Sequence, residues 1–247
     1  MQLSRFATDA LFAGEAGFAH RGLHGPGVPE NSMAAFGAAI AAGAGIECDL
    51  RLSRDGSAMI FHDPDLQRLC GITVETESLN AAALTTFRLG GTGQAIPTLS
   101  RLLNLVAGQV PLLLEVKTRR RRRVPGVPPA PVDALCRAVA ADLAGYGGAV
   151  GVMSFDPRVP AWFARHQPHW ARGLVIGDCL PAWRRWIALQ LAQPDFLAVE
   201  TSAALRPWAV RQRTRRAVAS WTVRTAEQRQ ALSDRVDALI WESDGRP

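Results

Sequence analysis

Glu47 and Asp49 stand two residues apart in GIECDLRL, an apolar run of strand length. Side chains along a strand alternate between its faces, so both carboxylates emerge on one side while Ile46, Cys48 and Leu50 emerge on the other. Two anions so close repel unless a cation lies between them. A second run, PLLLEVKT, repeats the device, with Glu115 and Lys117 on one face and Leu114 and Val116 opposite. AMIFHD ends in His62 and Asp63, and GFAHRG carries His20 and Arg21 where its apolar run stops. Oxygen donors alone favour a hard divalent cation, Mg²⁺ or Ca²⁺, over zinc. A metal flanked by Arg and Lys suits an anionic substrate such as a phosphodiester, and two histidines can take the acid and base roles. The same groups have plainer uses: carboxylates pair with arginines, and a lone histidine often satisfies its bonds inside a core.

These groups act together only if a fold brings their strand ends to one place. Short apolar runs rich in β-branched residues alternate with amphipathic segments of helix length, a rhythm that argues for βα units around a parallel sheet. Candidate strands fall at 17–20, 45–51, 58–62, 111–117, 149–155, 172–176, 196–200, 217–223 and 237–242, of which 196–200 is the least marked. Helical patterns between them include NSMAAFGAAIAAG, TLSRLLNLVAG, VDALCRAVAADLAG and PAWRRWIALQLAQ. Nine strands are one more than a closed eight-stranded barrel needs. The connection LSRDGSAM is too short for a parallel crossover, which takes about a dozen residues, and Asp55-Gly56 signals a turn. Glu47 to His62 is therefore expected to form two tightly joined antiparallel strands, with one segment outside the barrel wall. From His62 to Pro97 no period is clear, which implies an irregular excursion over one face. The expectation is an α/β fold, an irregular TIM-type (β/α)8 barrel with a short excursion after the third strand, filling residues 1–247 as a single domain. In such a barrel the carboxyl ends of the strands share the rim where active sites form.

AHRG, PENSMAAF, AAGAGIECDLRLSRDGSAMIFHDPDLQRLCG, IPTL, LLLEVK, MSF and SWTV follow in an order and spacing that resemble the glycerophosphodiester phosphodiesterase family. The likeness runs from residue 17 to 242 and is densest over 18–71. It implies a TIM-type barrel and metal-dependent hydrolysis of glycerophosphodiesters to glycerol 3-phosphate and an alcohol. It also implies His20 and His62 as the acid/base pair, Glu47, Asp49 and Glu115 as ligands of one divalent cation, and Arg21 and Lys117 as phosphate contacts. The implied route is attack by the glycerol hydroxyl on phosphorus, giving a cyclic phosphate that water opens. Arg224 replaces the family's usual Asn after WTV, its C-terminal Thr-Asp appears as IWESD, and the excursion after His62 is short. These departures bear on the alcohol-side pocket more than on the metal site. A phospholipase-type or lysophospholipase-D-type relative is the alternative enzyme, and a catalytically inactive, polyanion-binding barrel is the rival from another class.

Lys117 is the only lysine in a chain otherwise reliant on arginine, and a compact ammonium differs from a forked guanidinium at a crowded phosphate site. Glu30 and Asn31 are expected to cap the following helix and fix its loop, with Ser32 competing for the cap. Asp63 is expected to orient His62 or the loop rather than bind metal. Trp221 either packs against the glycerol moiety or belongs to the core. His24 is near enough to His20 in sequence to line the pocket, while His166 and His169 are expected on the surface. The run KTRRRRRVPGVPPAP is a solvated loop or a basic collar, Arg119 to Arg123, in transient contact with anionic phospholipid surfaces. The net charge of +6 favours an anionic partner, yet no nucleic acid is expected, because no aromatics interleave with that run. Cys48, Cys70, Cys136 and Cys179 lack metal-type spacing and read as plain thiols. Asp9 and Glu15 interrupt the apolar stretches of the N-terminus, and no run approaches the roughly 20 residues of a membrane span, so a cytoplasmic protein without a transmembrane segment is expected.

Overall fold

The computed structural model describes residues 2–118 and 132–247; Arg119 to Arg123 lie outside the described residues. All nine expected strands are present: β1 (Phe18–Ala19), β2 (Gly45–Leu52), β3 (Ala58–Ile60), β4 (Leu112–Val116), β5 (Val150–Ser154), β6 (Ala171–Ile176), β7 (Phe196–Glu200), β8 (Ala217–Val223) and β9 (Ala238–Trp241). Eight of them run parallel and close on themselves, β1 bonding to both β2 and β9, which makes a TIM barrel. β3 lies outside that wall, antiparallel to β2, with Leu50 opposite Ile60. The Asp55-Gly56 turn joins them, and Gly56 supplies its φ of +88°, a conformation that costs glycine nothing.

The outer face of the wall packs under helices that include Met33–Ala41, Leu99–Val106, Val132–Asp142 and Arg158–His166. Ile46, Cys48, Leu50, Leu112, Leu114 and Val116 point into that layer, as the strand period requires. Burial on both faces explains why β7 was faint in sequence: FLAVE is too short to show alternation, and its first four residues are all buried. The excursion after β3 builds a small core of its own from Met59, Phe61, Leu66, Leu84, Leu89 and Ile96. Its helical turns, Gln67–Cys70 and Ala81–Leu84, are too short to print a period in the sequence.

Inside the barrel the character of the residues changes along its axis. The floor is apolar, with Phe18, Leu113, Met153, Phe196 and Ile240 joined by Leu11 at the end of the helix Gln2–Leu11. Phe12 meets Phe18 and Phe196 edge-on at 5.9 and 5.3 Å. Each such large side chain stabilises the fold by about 1.5–3 kcal/mol on burial. Gly173 makes room for Phe196, since a Cβ there would stand 2.4 Å from its ring. One step of two residues toward the carboxyl ends, Phe18 gives way to His20, Leu113 to Glu115 and Ile240 to Glu242. The rim is therefore ionisable over an apolar floor. The four cysteines are free thiols. Among the described residues no helix is long and apolar enough to cross a membrane.

Candidate active site

The register of β2 and β4 sets Asp49 opposite Glu115. One oxygen from each of Glu47, Asp49 and Glu115 lies within 4.8 Å of the others, and all three residues are buried. Lys117 Nζ bridges Asp49 Oδ1 at 2.9 Å and Glu115 Oε1 at 2.6 Å. Arg21 Nε lies 3.2 Å from Asp49 Oδ2, and Asn31 Nδ2 donates to the same oxygen at 2.9 Å. Asn31 is thus a brace for Asp49. The helix cap falls to Ser32, whose Oγ accepts from the Ala35 amide at 3.2 Å. Glu30 is no cap either: it accepts from Arg21 Nη1 at 2.7 Å. Asn31 holds this position at a φ of +55°, which Asn tolerates better than most residues.

Positive charge is shared unevenly among the three carboxylates. Burial works against ionised Asp49, but Lys117 and Arg21, followed by His62 and His20, hold its carboxyl well below the usual range. Burial, then the charges of Asp49 and Glu115, push Glu47 well above it, and Lys117 and Arg21 offset only part of that. Glu47 accepts the Arg21 amide at 3.0 Å, and its ion contact among the described residues is His20 Nε2 at 3.9 Å. The ionised set is therefore short of positive charge around Glu47. Three buried oxygen donors in that state fit a hard divalent cation. The nearest thiol in sequence, Cys48, faces away into the helix layer.

His20 follows β1, and its Nδ1 lies 3.0 Å from Glu242 Oε2. Glu242 is there because the barrel closes: β1 pairs with β9, with Ala19 opposite Trp241. His24 Nε2 lies 3.4 Å from the same oxygen, and Arg224 Nε binds Glu242 Oε1. The bond from His20, then His24, hold the Glu242 carboxyl well below its usual range. A carboxylate at Nδ1 selects the tautomer protonated there and leaves Nε2 as the acceptor.

His62 is mounted in a parallel way, with Nδ1 2.6 Å from Asp63 Oδ1. Arg68 Nε donates to Asp63 Oδ2 at 2.6 Å, and its other nitrogens reach Glu30 at 2.9 and 2.7 Å. Burial works against the ionised Asp63, yet His62 and Arg68 bring its carboxyl down to about 2. His62 does not crown a strand of the parallel wall. β3 returns antiparallel from beyond the rim, and the Phe61 amide donates to Asp49 O at 2.9 Å, which delivers His62 to the carboxylates.

His20, Arg21, Glu47, Asp49, His62, Glu115 and Lys117 thus meet in one network. Trp221 stands at the carboxyl half of β8, half-buried, with its Nε1 donating to Ala198 O at 3.0 Å. Its ring meets Phe155 edge-on at 5.4 Å, and Lys117 Nζ lies 6.0 Å from the centre of the Phe155 ring. Glu242 and Phe155 were not among the expected site residues. Closure held the signal for Glu242, because the last strand of a barrel must lie beside the first.

Residues 20–243 match the model of the glycerophosphoryl diester phosphodiesterase family. A glycerophosphodiester phosphodiesterase of Bacillus altitudinis is 33% identical over 119 residues, 44% of this chain and 48% of that protein. Across the curated relatives the matched stretch spans 30% to 48% of their own length. Among solved structures, a phosphodiesterase of Oleispira antarctica, in complex with the product sn-glycerol-3-phosphate, superposes with a TM-score of 0.76 at 21% identity, covering 91% of each chain. A glycerophosphodiester phosphodiesterase of Thermotoga maritima gives 0.74 at 23%, covering 92% of this chain and 94% of that one. Both structural likenesses speak to the fold and agree with the closed barrel. The matched segment takes in the whole network from His20 to Glu242, and the chain belongs to the glycerophosphoryl diester phosphodiesterase family.

Proposed function

We propose that this chain hydrolyses glycerophosphodiesters to glycerol 3-phosphate and an alcohol, with one divalent cation, Mg²⁺ or Ca²⁺, held by Glu47, Asp49 and Glu115. The observation that carries this reading is the meeting of three buried carboxylates and two carboxylate-anchored imidazoles on one rim. Family membership, and the relative solved with sn-glycerol-3-phosphate, support the substrate class. Held there, a divalent cation would lower the pKa of an attacking hydroxyl and offset the negative charge that grows on the phosphate oxygens.

The chain's own residues do the rest. Arg21 and Lys117 are the cations beside the carboxylates and take the non-bridging phosphate oxygens. His20, with Nδ1 committed to Glu242, accepts at Nε2 the proton of the substrate's glycerol hydroxyl as that oxygen attacks phosphorus. His62, whose side chain is 32% exposed against 12% for His20, faces the side where an alcohol can leave and protonates its oxygen as the old P–O bond breaks. The product of this step is a cyclic phosphate. Water then opens the ring, His62 taking the proton of water and His20 returning one to the glycerol oxygen. Trp221 and Phe155 offer an aromatic wall to the organic part of the substrate.

The test is a coupled assay for glycerol 3-phosphate release from several glycerophosphodiesters, with and without chelator, beside Glu115→Ala. Release that stops with chelator and returns with Mg²⁺ or Ca²⁺ is expected. Glu115→Ala should fall by more than the roughly 100-fold that loss of a partner outside the ligand set costs. Release that survives both treatments overturns the metal mechanism. Absence of release from every diester overturns the substrate class.

A further inference from the structure

The helix Ala182–Ala192, which follows β6, is inside out for a barrel helix. Its spacing places Trp183, Trp186, Ile187 and Leu191 on one face. That face looks to solvent, at 61%, 63%, 41% and 58% exposure. Toward the barrel the helix presents Ala188, Leu189 and the buried Ala192. Isolated exposed apolar residues need no explanation, but a contiguous outward stripe of large ones marks an interaction surface.

Arg184 borders the stripe, and Arg185 lies on the opposite side with Leu189 and Ala192. Arg184 lies over the Trp183 ring at 5.0 Å, and Arg185 lies over Trp208 at 4.0 Å. Arg206 is paired with Asp178 at 2.6 Å, and Leu205, 46% exposed, adds apolar surface from the connection after β7. A βα unit starts its helix at the carboxyl end of the strand, so Trp183 and Trp186 lie toward the rim that carries the catalytic network.

We propose that this face docks the barrel on an anionic phospholipid surface, the two indoles, Ile187 and Leu191 entering the headgroup boundary while Arg184, at the edge of the stripe, meets a lipid phosphate. These residues are other than the arginine run at 119–123, and the inference stands independently of the proposed hydrolysis. Composition fits this occupant: indoles settle at headgroup level, and an apolar face with arginines beside it is how interfacial helices bind. Charge argues against a second copy, because two-fold pairing through the patch would bring the Arg184 side chains of both copies into one interface with no carboxylate on the stripe to meet them. The aliphatic half of the stripe suits acyl chains and gives stacked bases nothing to rest on.

Co-sedimentation of the full chain with phosphatidylcholine vesicles, with and without phosphatidylglycerol, tests this. Wild type should sediment with the anionic vesicles and far less with the neutral ones. Trp183→Ala/Trp186→Ala should weaken binding about tenfold or more, and Arg184→Gln about fivefold, with thermal melts unchanged in both. Wild type that ignores anionic vesicles, or a double Trp variant that binds as tightly as wild type, overturns the proposal. A dimer seen by light scattering that the Trp variant dissolves, without vesicle binding by wild type, overturns it in favour of self-association.

Discussion

The two imidazoles of the rim are mounted alike and anchored differently. Each has Nδ1 on a carboxylate, and each carboxylate rests on an arginine. On the His20 side the carboxylate comes from the far end of the chain, delivered by paired barrel strands, and its arginine, Arg224, is mostly exposed. On the His62 side the carboxylate is the next residue, and its arginine continues through Glu30 to Arg21 and so to Asp49. One arm is held by the barrel wall and ends in solvent. The other is held by a ring of charges and ends on the carboxylates that would bind the cation. A shared local device therefore depends on closure in one place and on electrostatics in the other.

The largest expected effects separate the chemical roles. His20→Ala and His62→Ala should each lower kcat by about 10²–10⁴-fold on a glycerophosphodiester with an alkyl alcohol. With a p-nitrophenyl ester, whose leaving group needs no proton, the first-turnover release of p-nitrophenolate should recover most of the loss in His62→Ala and not in His20→Ala. Equal recovery would break the division of roles. Next come the carboxylates: Glu242→Gln and Asp63→Asn should each cost about 10–100-fold, the usual range for a group that orients another. A smaller contrast lies in the arginines. Arg68→Gln should lower kcat more than Arg224→Gln, because it frees both Asp63 and Glu30, while neither variant shifts stability by more than about 1 kcal/mol. Added salt should reduce the difference between Arg68→Gln and wild type, since it screens the ring that Arg68 completes.

The smallest effect is on acid stability. The Asp63 carboxyl falls from 3.8 to about 2 in the folded chain, so the stability it contributes is present above its ordinary pKa and is lost as pH falls through the folded value. Thermal melts of wild type should therefore drop more steeply than those of Asp63→Asn as pH falls from about 4 to about 2. Parallel curves would show that the His62 arm contributes no such linkage.

Much of this site was legible because strand alternation is local. Glu-x-Asp and Glu-x-Lys state in three residues which side chains share a face, and Asp55-Gly56 marks the hairpin that carries His62. What alternation leaves out is which strands are neighbours. Glu242 reaches His20 through closure, a relation between residues 222 apart that no local pattern shows. Ser32, Glu30 and Asn31 are adjacent and all suited to capping, so tertiary demand decided among them: Asp49 takes Asn31, Arg21 takes Glu30 and the helix takes Ser32. The segment PAWRRWIALQLAQ declares a helix but not which side faces in, because its apolar residues surround most of the axis and the barrel needs only the smallest of them.

The central claim is that Glu47, Asp49 and Glu115 form one site for a divalent ion, and calorimetric titration of chelator-treated protein with Mg²⁺ or Ca²⁺ tests it most directly. Wild type should bind a single ion per chain, and Glu47→Gln, which keeps the side chain's size and removes its charge, should bind none in the same range. Equal binding by the two proteins, or none by wild type, contradicts the claim.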